Sequence, residues 1–242
     1  MVVSEKAISV AKGNVIDESK VKPGLLAELL VRVHMRFFWG HFLGKLCNFK
    51  VEPIIRLRKY PIKEGAAHKH TVLRSSGFLQ ALKYGSEGGI DLSNVPFCYA
   101  SLPLKNPSEE AESIRREIEA KSGKKITVII SDTDSTFSYR NFHFTPRPNP
   151  IKGIKSFGGA LSFILGRALK LRQRATPLAT AGSKISVEAT LDLVEIAHHA
   201  RGYGAGRTIW DMKRRFGVGF SKITWGMLEN VEHFPIVLIR RK

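Results

Sequence analysis

Apolar and polar positions divide the chain into short β-branched runs and longer stretches with apolar residues at helical spacing. The clearest short run is Ile126, Thr127, Val128, Ile129 and Ile130, a composition that favours a buried strand. Polarity then changes abruptly at Asp132, Thr133 and Asp134, which read as the turn leaving that strand. Upstream, Asn106 is a candidate N-cap, Pro107 suits the first helical position and Glu109 follows three residues after the cap. Ala111, Ile114 and Ile118 make one stripe before Gly123, so a helix is predicted over 107–122. Helix leading into strand, with a strand expected over Phe97–Leu104, predicts an α+β or α/β layer.

The rest of the pattern is weaker. Residues 1–17 read as two strand-like runs around Gly13, with Ile8, Val10, Val15 and Ile16 as apolar members. From Pro23 a nearly continuous apolar segment runs to Cys47, broken by Arg32, His34, Arg36, His41 and Lys45. It predicts a helix that packs or makes a dimer contact, or one that lies at a membrane interface. Residues 50–64 read as extended and basic, and 71–83 as strand material. Residues 136–150 read as irregular, and 160–175 as helix-like after Gly158 and Gly159. A further helix is expected from about Ile185 to Ala200, and a closing strand over Phe234–Ile239. His34, His41, His68 and His70 match no common zinc spacing and read as solvated or core histidines.

Composition adds one strong fact. Lys plus Arg number 39 against 21 Asp plus Glu, a net charge of +18. Such a field attracts nucleotides, phosphorylated small molecules and other polyanions. No RNA-binding, zinc-finger or helix-turn-helix pattern accompanies it. Cys47 and Cys98 form no disulfide framework, which fits a reducing, cytoplasmic compartment. The N-terminus lacks a signal-peptide core, and no uninterrupted apolar stretch is long enough to span a membrane.

Three places carry candidate chemistry. Asp132 and Asp134 at the end of a rigid strand are placed to hold a divalent cation, or alternatively to cap the turn. The loop 84–96, with Gly85, Gly88 and Gly89 beside Asp91 and Asn94, is the second. The third is 200–207, where Gly202 and Gly204 alternate with Arg201, Tyr203 and Arg207. Glycine lets backbone N–H groups approach a phosphate, and arginine binds it bidentately. This segment is not a P-loop, because the Gly-Lys-Ser/Thr ending is missing. The series Asp132, Thr133, Asp134, Ser135, Thr136 also resembles the nucleophile motif of haloacid-dehalogenase phosphatases, with Asp132 as nucleophile and Asp134 as general acid. No late acidic pair completes that reading.

Taken together, GIDLSNVP at 89–96 and PSEEAESIRREIEAKSGKKITVIISDT at 107–133 resemble the coenzyme F420 γ-glutamyl ligase family. The opening VVSEKAISVAKGNVIDES at 2–19 resembles that family's early strand pair. The resemblance implies an α+β fold of mixed sheets with packed helices, working as a homodimer. It implies one domain over 1–242, with 24–60 as a candidate insertion and 150–242 as a candidate subdomain. It also implies an enzyme that uses GTP with Mg²⁺ or Mn²⁺ to join L-glutamate to a deazaflavin precursor by an amide bond, through an acyl phosphate.

By motif, Asp91, Asp132 and Thr133 would be metal ligands. Glu5, Lys6, Asn94 and the 201–207 loop would contact the nucleotide. Asp134 and Arg140 are additional candidates. The pattern departs at Val10, where the family has a lysine, and near Tyr203, where it has a glutamine. It departs again at Asp134–Phe137, and the sequence holds no counterpart of a nucleotide-contacting segment that the family carries ahead of the position of Met1. A basic module that keeps the fold and binds nucleic acid or another polyanion without catalysis is the alternative, discriminated by steep salt dependence.

Overall fold

The computed structural model describes residues 1–85 and 87–240; Ser86, in the second candidate loop, lies outside them. In chain order the elements begin β1 (Val2–Ser4), α1 (Glu5–Ala11) and β2 (Val15–Asp17). Then α2 (Leu25–Leu29), a π-helical stretch Leu30–Leu43 and α3 (Gly44–Leu46) run on as one rod. They are followed by α4 (Val51–Arg58), α5 (Ile62–Ser75), α6 (Phe78–Ala81), β3 (Tyr99–Ser101) and α7 (Pro107–Ser122). The second half holds β4 (Val128–Tyr139), β5 (Phe142–Thr145), β6 (Lys155–Ser156), α8 (Ala160–Ala168), β7 (Arg172–Ala181) and α9 (Val187–Arg201). It ends with α10 (Ile209–Phe216), α11 (Trp225–Glu229) and β8 (Ile236–Val237).

The fold is mixed α and β, and β4 is its spine. Along one edge β7 pairs antiparallel from Val128↔Ala181 to Ser138↔Arg172. The other edge is shared. The parallel strand β1 covers Ile129 to Ser131, and the antiparallel β5 covers Phe137 to Tyr139. Between them, residues 132–136 have no strand partner on that edge among the described residues. The β7 pairing also slips there, from Asp132↔Thr176 to Ser135↔Ala175, a bulge of the kind that re-aims side chains. A hydrophobic cluster of Val3, Ile8, Val128, Ile130 and Ala179 packs α1 and α7 on one face of the sheet. Val2, Ile129, Ala175, Val194 and Ala197 bury α9 on the other. A separate cluster around Met35, Trp39 and Leu57 holds the helical rod, α4 and α8 together.

Several expectations need correction. Ile8 and Val10 are helical, because the strand ends at Ser4 and Glu5 opens α1. Residues 51–58 are helical as well. Pro53 sits in the first turn, where its missing N–H is not needed. Residues 71–83 are mostly helix, since Ala66, Ala67 and Val72 bury one face of α5 and tertiary packing overrides β-branching. The carboxylates at 132 and 134 do not leave the strand; β4 continues through the bulge to Tyr139, so 136–150 begins as a hairpin. The helix after Gly159 stops at Ala168, and the following residues form β7. The helix over 107–122 matches the expectation, closed by Gly123 in the left-handed region at φ 66°. Its Asn106 side chain bonds Glu109 Oε2 rather than a backbone N–H.

Candidate functional site

A cavity of about 610 Å³ opens beside the uncovered stretch of β4. Its wall includes Lys6 at the start of α1, Asp91 and Asn94 from the glycine loop, Thr133 from the bulge and Arg201 from the end of α9. Sequence positions far apart are therefore brought together by the handover between β1 and β5.

Lys6 and Asp91 form one pair. Lys6 Nζ donates to Asp91 Oδ2 at 2.7 Å and to Ser93 Oγ at 2.8 Å. Asp91 Oδ1 accepts the Ser93 N–H at 2.7 Å, which makes a local turn of the Asx type. A second group lies just behind. Arg147 donates from Nε to Asp132 Oδ2 at 2.8 Å, from Nη1 to Gly88 O at 2.8 Å and from Nη2 to both oxygens of Glu5. Burial, with Asp132 nearby, pushes the Glu5 carboxyl up to about 7 against the pull of Arg147. Glu5 also accepts the Leu104 N–H at 2.8 Å. Asp134 is buried and paired with Lys83; burial pushes its carboxyl up to about 7 as well.

Arg201 is different. It is 3 % exposed, and its Nη2 donates to Ser131 Oγ at 3.1 Å. Its Nε and Nη1 are buried with no hydrogen-bond partner among the described residues. Burial lowers its pKa below the usual guanidinium range, and the nearby Asp132 opposes that shift. A buried cation with two idle donors on a cavity wall is disposed to take an anion, most naturally phosphate or carboxylate.

The loop after Arg201 is held by Asn94. Its amide donates to Tyr203 O at 3.2 Å and Gly206 O at 3.1 Å, and its Oδ1 accepts the Ala205 N–H at 2.6 Å. Gly204, at φ 55°, lies so close that a Cβ there would be 2.4 Å from Asn94 Oδ1. Arg207 is exposed and stacks 3.9 Å over the Tyr203 ring. Gly202 continues this wall. Arg140 sits apart, on the exposed β4–β5 hairpin turn against Tyr139.

Glu18, His68 and Glu87, which also line the cavity, belong to a network that sequence reasoning missed. His68 lies between Glu18 and Glu87, at 2.9 Å from each, and Lys69 Nζ donates to Glu87 at 2.8 Å. Burial lowers the His68 pKa, but the two carboxylates overcome it and raise it to about 10. His68 is thus a core imidazolium. Arg147 was also unforeseen; a lone arginine in the Arg-Pro-Asn-Pro stretch 147–150 carries no sequence signal of its three acceptors.

No three His, Cys, Asp or Glu side chains among the described residues are grouped to hold a metal ion. A Mg²⁺-type ion needs only one or two carboxylates when phosphate and water complete its shell. Asp132 suits that role, because its Oδ1 has only a 3.5 Å contact from the adjacent Thr133 hydroxyl.

A family model described as F420-0:Gamma-glutamyl ligase matches residues 1–201. The chain is 40 % identical over 249 residues to an uncharacterized protein of Methanocaldococcus jannaschii, covering 100 % of this chain and 84 % of that protein. It is 35 % identical over 135 residues to the coenzyme F420:L-glutamate ligase of the same organism, covering 55 % of this chain and 47 % of that one.

Proposed function

The chain belongs to the F420-0:gamma-glutamyl ligase family, and from that premise we propose that it is a nucleotide- and divalent-metal-dependent ligase. It would form an amide between a phosphate-activated carboxylate and an amino acid such as L-glutamate. The observation that carries the reading is Arg201, buried on the cavity wall with two unpartnered donors. A triphosphate reaching Arg201 would pass Lys6, whose charge is now matched by Asp91.

Asp132, through its open oxygen, and Asp91, by exchanging Lys6 for a cation, would hold Mg²⁺ or Mn²⁺, with Thr133 adding a hydroxyl. The ion supplies charge neutralisation on the phosphates. Arg147 holds Asp132 in place and keeps the Glu5 carboxyl away from the cavity. Asn94 holds the 202–207 loop in shape and so acts by positioning. Asp134, buried and paired through one oxygen with Lys83, and Arg140, on the hairpin, take no part.

Calorimetry with GTP and Mn²⁺ tests this. Wild type is expected to bind GTP only with the metal present, and Asp132→Asn to bind it about tenfold more weakly in the presence of the metal. Absence of nucleotide binding by wild type, with or without metal, removes the proposal.

A further inference from the structure

Residues 25–46 carry apolar side chains on two faces. Ala27, Val31, Met35 and Trp39 are buried against the core. Leu25, Leu29, Val33, Phe37, Phe42 and Leu46 recur every four or five residues on the outside, the spacing expected where hydrogen bonds run from i to i+5. They are far from buried: Leu25 is 87 % exposed and Phe42 57 %. Phe37 meets Phe38 and Phe42 edge-on, with ring centroids 5.5 Å apart in each case. An exposed apolar strip of this length marks a contact surface.

Charge selects the partner. Arg32, Lys45, Lys50, Arg58 and Lys59 are exposed on or beside the rod. The two acids of the region, Glu28 and Glu52, each pair with an arginine, at 3.8 and 2.7 Å. A second copy fits poorly. The rod is at most about 33 Å long and about 10 Å wide, giving about 330 Å², against about 800 Å² per partner in a standard interface. Two chains of +18 would also repel.

We infer that this face rests on the surface of a bilayer containing anionic lipid, with Phe37 and Phe42 inserted among the acyl chains and the flanking lysines and arginines on lipid phosphates. The rod lies in the interface and does not cross it; among the described residues no helix is long and apolar enough to span a membrane. Pro23 just before the rod and Tyr60 just after α4 both line the cavity, so the lipid-facing excursion leaves from and returns to the cavity rim.

The test is co-sedimentation with vesicles of phosphatidylcholine alone and of phosphatidylcholine mixed with phosphatidylglycerol, alongside sedimentation equilibrium without lipid. Wild type is expected to pellet with the mixed vesicles and not with phosphatidylcholine alone. The double variant Phe37→Ser/Phe42→Ser is expected to lose at least about tenfold in partitioning, with its thermal unfolding unchanged because both rings are exposed. Failure of wild type to pellet overturns the inference. So does pelleting that salt abolishes but the double variant leaves intact, which would be the attraction of net charge alone. A dimer that the double variant converts to monomer overturns it too, by assigning the face to a second copy.

Discussion

Two clusters of charge face the same cavity and are built on opposite principles. On one wall His68, Glu18, Glu87 and Lys69 are mutually saturated, each carboxylate matched by a buried cation. On the other, Arg201 is buried with most of its donors idle. The first arrangement fixes α5 against the turn at Glu18 and the loop at Glu87, and has nothing left to offer a ligand. The second bears a desolvation cost that Asp132 offsets in part and that an incoming anion would relieve further. Charge in a cavity therefore does not by itself point to a binding group; unsatisfied charge is the better guide.

The comparison can be broken most directly at Glu87. Glu87→Ala strips His68 and Lys69 of a shared partner and should lower unfolding free energy by about 3–5 kcal/mol, measured by urea denaturation. A loss below about 1 kcal/mol, the scale of an exposed pair, would show that the saturated wall is not structural. The same wall predicts a pH effect. His68 has its pKa raised to about 10, so its stabilisation is complete below about 6.5 and is lost as pH rises through about 10. Glu5 and Asp134, both raised to about 7, contribute a decline that ends near that value. A stability decline persisting from pH 8 to 10 (roughly the span set by linkage) and absent in His68→Gln would sharpen the assignment.

Arg201→Met should behave oppositely. Stability is expected to change by less than about 1 kcal/mol, because the lost cation is barely partnered. GTP affinity in the presence of Mn²⁺ should fall by about ten- to a hundredfold. Equal affinity in Arg201→Met and wild type would erase the contrast between the two walls. The smallest effect is expected from Asp132→Asn, about a tenfold fall in metal-supported affinity, since Glu5 still holds Arg147.

Some of this was legible in the chain. The helix over 107–122 announces itself through Pro107, a clean stripe and Gly123, and the following strand through its β-branched run. Its two-loop neighbourhood, Asp91 and Asp132, is the part whose spacing pointed to the ligase family. The bulge was not legible, because a polar series inside a strand looks like a turn until both neighbouring strands are known. The helix α5 was hidden for a related reason: it is buried all round at Ala66, Ala67, His68 and Lys69, so no hydropathy stripe marks it. Arg201 stands out in the sequence through the glycines that follow it, and Arg147 does not. The acceptors around each guanidinium then separate them further: Arg147 is fully engaged, whereas Arg201 Nε and Nη1 have no partner among the described residues.

Gly89 stands where a methyl group would fall 2.5 Å from Cζ of Arg147, and its φ of 91° is itself unsuited to a side chain. The empty space at that single carbon is what lets the Asp91 loop lie directly over the guanidinium that steadies Asp132. Filling it would shift two acids at once, one in the loop and one in the sheet. The two halves of the proposed ion site are thus geared together by an atom the residue does not have, and neither half can be remodelled without disturbing the other.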